Sequence, residues 1–291
     1  MTRNKIAVIY FSKDRPLQLE LAINTANKML EKEENTYINN YVLWTASQSE
    51  YRKSYLFLKN EKEDIADFVE EGDFKEDLLC LLKDSKYVLF ITDDSVFVRP
   101  YCFTEMIKAL SENPQTIGFS LRLGTNTVMC YPYNLPNEKP RFIEKENYEN
   151  YMLFNWTKIG FGDFSYPLEL SSSFYEIEKI LPIIESAKYS NPNSLEWAMY
   201  IGTSLYLYTN SYPLLACYPL SRAFSIPLNK VQKVNNNRSG NNPKYSPKKL
   251  LEYYKEGYKI DPKPFIAFTP IGCHQEVELR LVKRISNEHR L

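Results

Sequence analysis

Two kinds of apolar spacing alternate along the first half of the chain. Short unbroken apolar runs give way to longer stretches whose apolar positions fall three and four residues apart. The run KIAVIYF at 5–11 is rich in β-branched and aromatic residues and predicts a strand. A helix is expected from Pro16, which suits a first helical turn, with Leu19, Ile23, Ala26 and Leu30 on one face. YVLWTAS at 41–47 reads as a second strand and 50–61 as a helix. KEDLLCLLKDS at 75–85 reads as a helix entering the strand YVLFITDD. Residues 101–110 predict a helix and 116–124 a strand. Strands apolar throughout and separated by helices belong in a parallel sheet covered on both faces. The expected fold class is therefore α/β.

The second half is less regular. YMLFNWT at 151–157 predicts a strand. SSSFYEIEKILPIIES reads as a helix, its serines suited to capping and Pro182 interrupting it. PNSLEWAMYIG at 192–202 starts another helix, with Asn193 or Ser194 as cap and Glu196 in the first turn. Residues 229–247 are Asn-rich, basic and poor in apolar side chains, which predicts a loop. A polar helix, PKKLLEYYKEGY, and a Pro-broken tail containing His274 complete the reading. With no internal repeat and no separating linker, the 291 residues read as one continuous domain.

Composition narrows the function classes. Lys+Arg and Asp+Glu both total 36, so no basic field for nucleic acid and no polybasic membrane patch is present. The five cysteines are scattered and form no CxxC pair, which points to a reduced, cytoplasmic chain. No run reaches the roughly 18 apolar residues of a bilayer span, which leaves only peripheral membrane contact open. Nine glycines, without GxGxxG or GxxxxGK[ST], argue against a Gly-rich phosphate loop.

Candidate chemistry centres on Asp93 and Asp94, which end an apolar strand. Ligands of open α/β sheets lie beyond the carboxyl ends of the strands, so the exits FSKDR, WTAS and TDDS should line one rim. Two neighbouring carboxylates there repel unless a cation is shared between them and a ligand. A hard divalent ion is commonly held by one or two carboxylates plus substrate phosphates. The plainer reading makes both acids solvated caps of the next turn. Taken in order, FS-x-DRP after the first strand, the small polar cluster after the second and the TDD strand resemble the family-2-like glycosyltransferases of the GT-A fold. The likeness is strongest over residues 5–125. It implies a Rossmann-like, mostly parallel sheet flanked by helices, with a nucleotide-sugar-binding half at 1–125 and a less regular acceptor-binding half at 126–291. By this resemblance Phe11, Ser12, Asp14 and Arg15 face the base and ribose, with Ser47 at the second strand's exit. Asp93 approaches the ribose or phosphate, and Asp94 binds Mn²⁺ or Mg²⁺. Ser95 stands where many relatives carry a third acid.

Inverting glycosyl transfer needs a carboxylate to take the acceptor hydroxyl's proton, while a metal stabilises the departing diphosphate. The family places that base at a helix start beyond the sheet, which selects Glu196. Asp163, in GFGDFSYP, is the rival base, an acceptor ligand or a support for its loop. Arg122 stands at another strand exit, where its guanidinium either reaches phosphate or sugar or pairs with an acid. The resemblance suggests His274 as an additional metal ligand; His289 reads as solvated. Lys230, Lys233, Arg238 and Lys244 place four cations in the 229–247 segment, which either closes over a diphosphate or merely connects. Trp156 and Trp197 are candidates for an acceptor platform. The expected function is an inverting, metal-dependent glycosyltransferase. It would move sugar from a nucleotide diphosphate donor, a UDP-sugar first, to a hydroxyl of a glycan or lipid-linked acceptor. The alternatives are a non-catalytic nucleotide-sugar or glycan-binding protein, which Ser95 favours, and a sugar-phosphate nucleotidyltransferase, which the lack of glycine in FSKDRP disfavours.

Overall fold

The computed structural model describes residues 4–33, 36–143, 150–204, 206–229, 240 and 242–284. The first half contains β1 (Asn4–Lys13), α1 (Pro16–Met29), β2 (Thr36–Thr45), α2 (Ser49–Glu61), β3 (Asp67–Glu70), α3 (Phe74–Leu82), β4 (Tyr87–Thr92), β5 (Ser95–Phe97), α4 (Phe103–Glu112) and β6 (Thr116–Ser120). Next come β7 (Met129–Cys130), β8 (Leu135–Pro136), β9 (Phe142–Ile143), β10 (Met152–Asn155), β11 (Ser173–Glu176), α5 (Ile177–Ser186), α6 (Pro192–Thr203) and α7 (Tyr206–Ser211). The remainder is β12 (Leu214–Cys217), β13 (Ala223–Ser225), α8 (Pro247–Lys255), β14 (Tyr258–Ile260) and β15 (Leu281–Lys283).

Nine strands form one sheet in the order β3-β2-β1-β4-β11-β6-β12-β10-β9. β3, β2, β1 and β4 are mutually parallel, as are β6 and β12, and only β11 and β10 run against the rest. Alternation along β1 divides the core between the two faces. Ile6, Val8 and Tyr10 pack with side chains of α1, α2 and α4, whereas Ala7, Ile9 and Phe11 pack with those of α3, α5 and α6. Because both faces are covered, β1 and β4 carry unbroken apolar runs, and the α/β architecture is the one expected. Close strand packing leaves little tolerance at Gly118 in β6, where an added Cβ would lie 2.5 Å from the Tyr175 ring of β11. Gly118→Ala should therefore cost about 1–3 kcal/mol, read as a lowered Tm. An unchanged Tm would show that the ring yields freely.

Several local expectations need correction. SSSFYEIEKILPIIES is not one helix: β11 lies antiparallel between β4 and β6, and α5 begins only at Ile177. Phe174 and Tyr175 are buried on opposite faces of the sheet, so the strand shows no polar alternation. The serines do not cap α5, whose N-cap is Glu176, and Pro182 is carried inside the helix. Asn191 caps α6, its side chain accepting from Ser194 N at 3.0 Å while Ser194 Oγ accepts from Asn191 N at 3.1 Å. That shift puts Glu196 beyond the first turn. β2 starts at Thr36, well before the apolar run, because its pairing with β1 extends through the polar residues Asn39 and Asn40. β6 ends at Ser120, leaving Arg122 past the strand. All five cysteines are free thiols. Among the described residues no helix is long and apolar enough to cross a membrane. Lys230, Lys233, Arg238 and His289 lie outside the described residues.

Candidate functional site

Parallel pairing puts Phe11 of β1 opposite Thr92 of β4, so the residues that follow each strand meet at one rim. Asp93 is 5 % exposed and its carboxylate is fully engaged. It accepts from Arg15 Nη1 at 3.0 Å, Ser12 Oγ at 2.9 Å and Lys13 N at 3.3 Å. Tyr55 of α2 braces this arrangement, its hydroxyl 2.6 Å from Ser12 Oγ and accepting from Arg15 N at 3.0 Å. Arg15 also donates through Nε to Asn229 Oδ1 at 3.0 Å, and through Nη2 to the Asn229 carbonyl. The partner of Asp93 is thus a guanidinium of the chain itself, which also lies within ion-pair distance of Asp94. Burial pushes the Asp93 carboxyl up to about 6, Arg15 pulling it down and Asp94 pushing it further up.

Asp94 differs. Its Oδ1 accepts from Thr92 Oγ1 at 2.7 Å, its Oδ2 lies 3.8 Å from Arg15 Nη1, and its side chain is 23 % exposed. It is the freer of the two carboxylates. Ser95 is fully buried at the start of β5, its hydroxyl 3.1 Å from that of Thr92. Asp14 adopts φ 56°, a left-handed conformation that Asp tolerates better than most residues, and its Oδ1 accepts from Ser47 N at 2.8 Å. This bond ties the exits of β1 and β2 together. Phe11 is not at the rim. Its ring is packed against Phe90 at 5.6 Å and Phe74 at 5.7 Å, and only its carbonyl, accepting from Asp93 N at 3.1 Å, meets the acids.

A second cluster of charge lies past β6. Arg122 pairs with Glu169, Nη2 to Oε2 at 2.7 Å, and its Nη1 is 3.4 Å from His274 Nε2. Glu169 also accepts from Ser171 N and Ser173 Oγ. Leu170 N, the next backbone donor, reaches Glu196 Oε1 at 3.3 Å. Burial pushes the Glu196 carboxyl up to about 7, with the charge of Glu169 adding to the effect and Arg122 opposing it. Burial and Arg122 lower His274 to about 4, so the ring is neutral, and its buried Nδ1 has no hydrogen-bond partner among the described residues. Asp163 is held by Asn137, which donates to Oδ2 at 2.9 Å and accepts from Asp163 N at 2.8 Å. The charge of Asp94 adds a little to the rise of Glu196 and offsets a little of the lowering of His274.

The tryptophans separate. Trp156 is a core residue donating to Tyr212 O at 2.8 Å, so it forms no platform. Trp197 is 58 % exposed and tilts on Tyr200 at 5.7 Å, and Tyr200 stacks on Tyr166 at 4.9 Å. Tyr200 is four residues after Glu196 and shares its helix face. A cavity of about 890 Å³ lined by Lys5, Leu82, Lys86, Ile177, Leu181 and Glu185 lies at the opposite end of β1 and β4, away from these acids. Beneath Asp93 and Asp94 the cavity is only about 10 Å³. Tyr55, Asn229 and Glu169 were not singled out from the sequence. Each looks ordinary in its segment, and only a long-range contact reveals it.

No protein-family model matches the chain. In sequence it is 27% identical over 216 residues to the bifunctional glycosyltransferase pgtA of Dictyostelium discoideum, covering 67% of this chain and 28% of that one. Among solved structures, S. aureus TarS aligns with a TM-score of 0.43 at 10% identity, over 73% of this chain and 35% of that one. Glucosyl-3-phosphoglycerate synthase of M. tuberculosis aligns with a TM-score of 0.41 at 12% identity, over 74% and 69%. The chain spans 28% of the length of its curated relative, and over that span it resembles a glycosyltransferase, as its strand exits had suggested.

Proposed function

We propose that this chain is a glycosyltransferase domain that moves a sugar from a nucleotide diphosphate donor, a UDP-sugar first, to a hydroxyl acceptor. The observation that carries the reading is the Arg15–Asp93–Asp94 cluster at the carboxyl ends of β1 and β4, joined by Glu196 on α6, a carboxyl that burial raises to about 7. The sequence likeness to pgtA supports it.

In this reading Ser12, Asp14 and Ser47 at the exits of β1 and β2 line the donor, with Asp93 and Arg15 toward its ribose and phosphates and Arg122 toward phosphate or sugar. Glu196 takes the proton of the acceptor hydroxyl as that oxygen attacks the anomeric carbon, and the configuration inverts. A general base works best with a proton affinity near the working pH, which Glu196 satisfies. Asp163 is the poorer base because Asn137 already occupies it, and it serves to hold its loop. The exposed faces of Trp197 and Tyr200 favour the apolar side of a sugar ring, so a saccharide acceptor fits.

Among the described residues no three His, Cys, Asp or Glu side chains converge as a self-sufficient metal cage. Asp94, whose Oδ2 takes no hydroxyl donor among the described residues, would hold a Mn²⁺ or Mg²⁺ ion, with donor phosphates and water left to complete its shell. His274 is a neutral ring suited to a metal, but it faces the Arg122 guanidinium, which makes Asp94 the better placed ligand. When bound, the ion would supply Lewis-acid stabilisation of the leaving diphosphate.

The test is a screen of nucleotide sugars for hydrolysis and thermal shift, with and without Mn²⁺ or Mg²⁺. A saturating donor at about 100 times Kd should stabilise the fold by about 2.7 kcal/mol. The expected result is a metal-dependent shift and slow hydrolysis with at least one UDP-sugar. Binding without turnover in the presence of saccharide acceptors would favour the non-catalytic alternative. A flat response to every nucleotide would remove the donor site.

A further inference from the structure

Glu169 is buried, 3 % exposed, and nothing in the proposed transfer uses it directly. A buried carboxylate is retained at a cost unless its bonds are complete, and here they are: Arg122, Ser171 N and Ser173 Oγ all converge on it. Two further features locate its effect. The segment from Glu169 to Ser173 is fixed at both ends, by Tyr175, whose hydroxyl accepts from Glu169 N at 2.9 Å and donates to its carbonyl at 2.8 Å, and by Ser172, held at φ 79°. A non-glycine residue in that conformation is strained and persists only where its surroundings hold it. The same segment presents Leu170 N to Glu196. On its other side the Glu169 carboxylate orients the Arg122 guanidinium.

We infer that Glu169 is a positioning residue, holding both Glu196 and Arg122 in register for the transfer. The inference rests on the reading of Glu196 as base. Geometry makes the claim: one side chain fixes the turn that carries the hydrogen-bond donor to Glu196 and also pairs with the Arg122 guanidinium. The charged and titratable groups acting on Glu196 are Glu169 and Arg122 together with Asp94 from the end of β4, and Tyr166 is close enough to feel its charge. Deleting the Glu169 charge lowers the proton affinity of Glu196 twice over, by removing a repulsive carboxylate and by leaving Arg122 unpaired.

The experiment compares wild type with Glu169→Gln and Glu169→Asp, using UDP-glucose, UDP-galactose and UDP-GlcNAc as donors. Misplacement of a reacting group by an ångström costs up to about 100-fold in rate. Glu169→Gln should therefore lower kcat by roughly 10–100-fold, leave the donor KM within a few-fold, and move the acid limb of kcat/KM to lower pH. Glu169→Asp should recover part of kcat. An unmoved limb with kcat reduced only in step with the folded fraction would overturn the inference. If Glu169→Gln does not fold, Ser173→Ala carries the test, since it frees the carboxylate but keeps its charge. A lower kcat at constant KM supports the inference, and an unchanged kcat overturns it. Glu196→Gln run alongside separates the two levels. Full turnover in that variant removes the base itself, whereas loss there with an indifferent Glu169→Gln removes only the positioning role.

Discussion

Glu196→Gln is expected to leave UDP binding unchanged while lowering sugar transfer by about 10²–10⁴-fold, the range attributed to general acid–base catalysis. The amide keeps an oxygen for Leu170 N, so the local packing of α6 against the 167–172 segment is preserved. What it removes is the group that accepts a proton. The wild-type pH profile carries the same argument with a defined sign. Burial and Glu169 raise Glu196 to about 7, and a base acts only when deprotonated. Activity should therefore climb as pH rises through about 7 and fall away below it, rather than staying level down to the ordinary carboxylate range near 4. Initial rates in buffers on either side of that midpoint, for wild type and variant, decide the matter. Turnover within a few-fold of wild type would disqualify Glu196 and return the role to Asp163, despite its bonds to Asn137.

What the sequence made legible follows from which interactions are local. β1, β4 and the helices α1 to α4 announce themselves because a strand buried on both faces and an amphipathic helix each leave a pattern within a dozen residues. β11 does not, since its aromatic residues run directly into Ile177 and the first turn of α5. β3 and β12, four residues each, are too short to carry a period. The site divides in the same way. Asp93 and Asp94 are visible because acids at the end of an apolar run have few reasons to be there, whereas a Glu near a helix start is ordinary and Glu196 stands out only through the family resemblance. Glu169 sits in PLELSSS and reads as a surface acid until Arg122, 47 positions earlier, is folded against it. Phe11 shows the opposite failure. Its neighbours reach the rim, but the two-residue period of β1 turns its own ring toward Phe74 and Phe90.

Arg15→Met should destabilise the fold by about 3–5 kcal/mol, the cost of stranding one member of a buried ion pair. Arg15 is the only cation bonded to the Asp93 carboxylate among the described residues, and the rim also contains Asp94. Methionine keeps the length and apolar stem of the side chain, so the loss reports charge and hydrogen bonds rather than a cavity. The effect should depend on pH in a direction fixed by linkage. Asp93 is already raised in the folded protein, to about 6 against an unfolded value of about 3.9. Between these values the folded state binds the proton more tightly, so stability falls as pH rises. Removing Arg15 deletes the group that pulls Asp93 down, which raises it further and extends that decline upward in pH. At pH 5 most Asp93 is protonated in the folded state and the guanidinium is missed less. At pH 8 the carboxylate must either ionise without a partner or hold a proton against the solvent. Urea midpoints for wild type and variant at the two pH values should show a larger gap at the higher one. An equal gap at both would mean that the Arg15 side chain stabilises the fold through Asn229 alone, and that the acid at the end of β4 finds its compensation elsewhere.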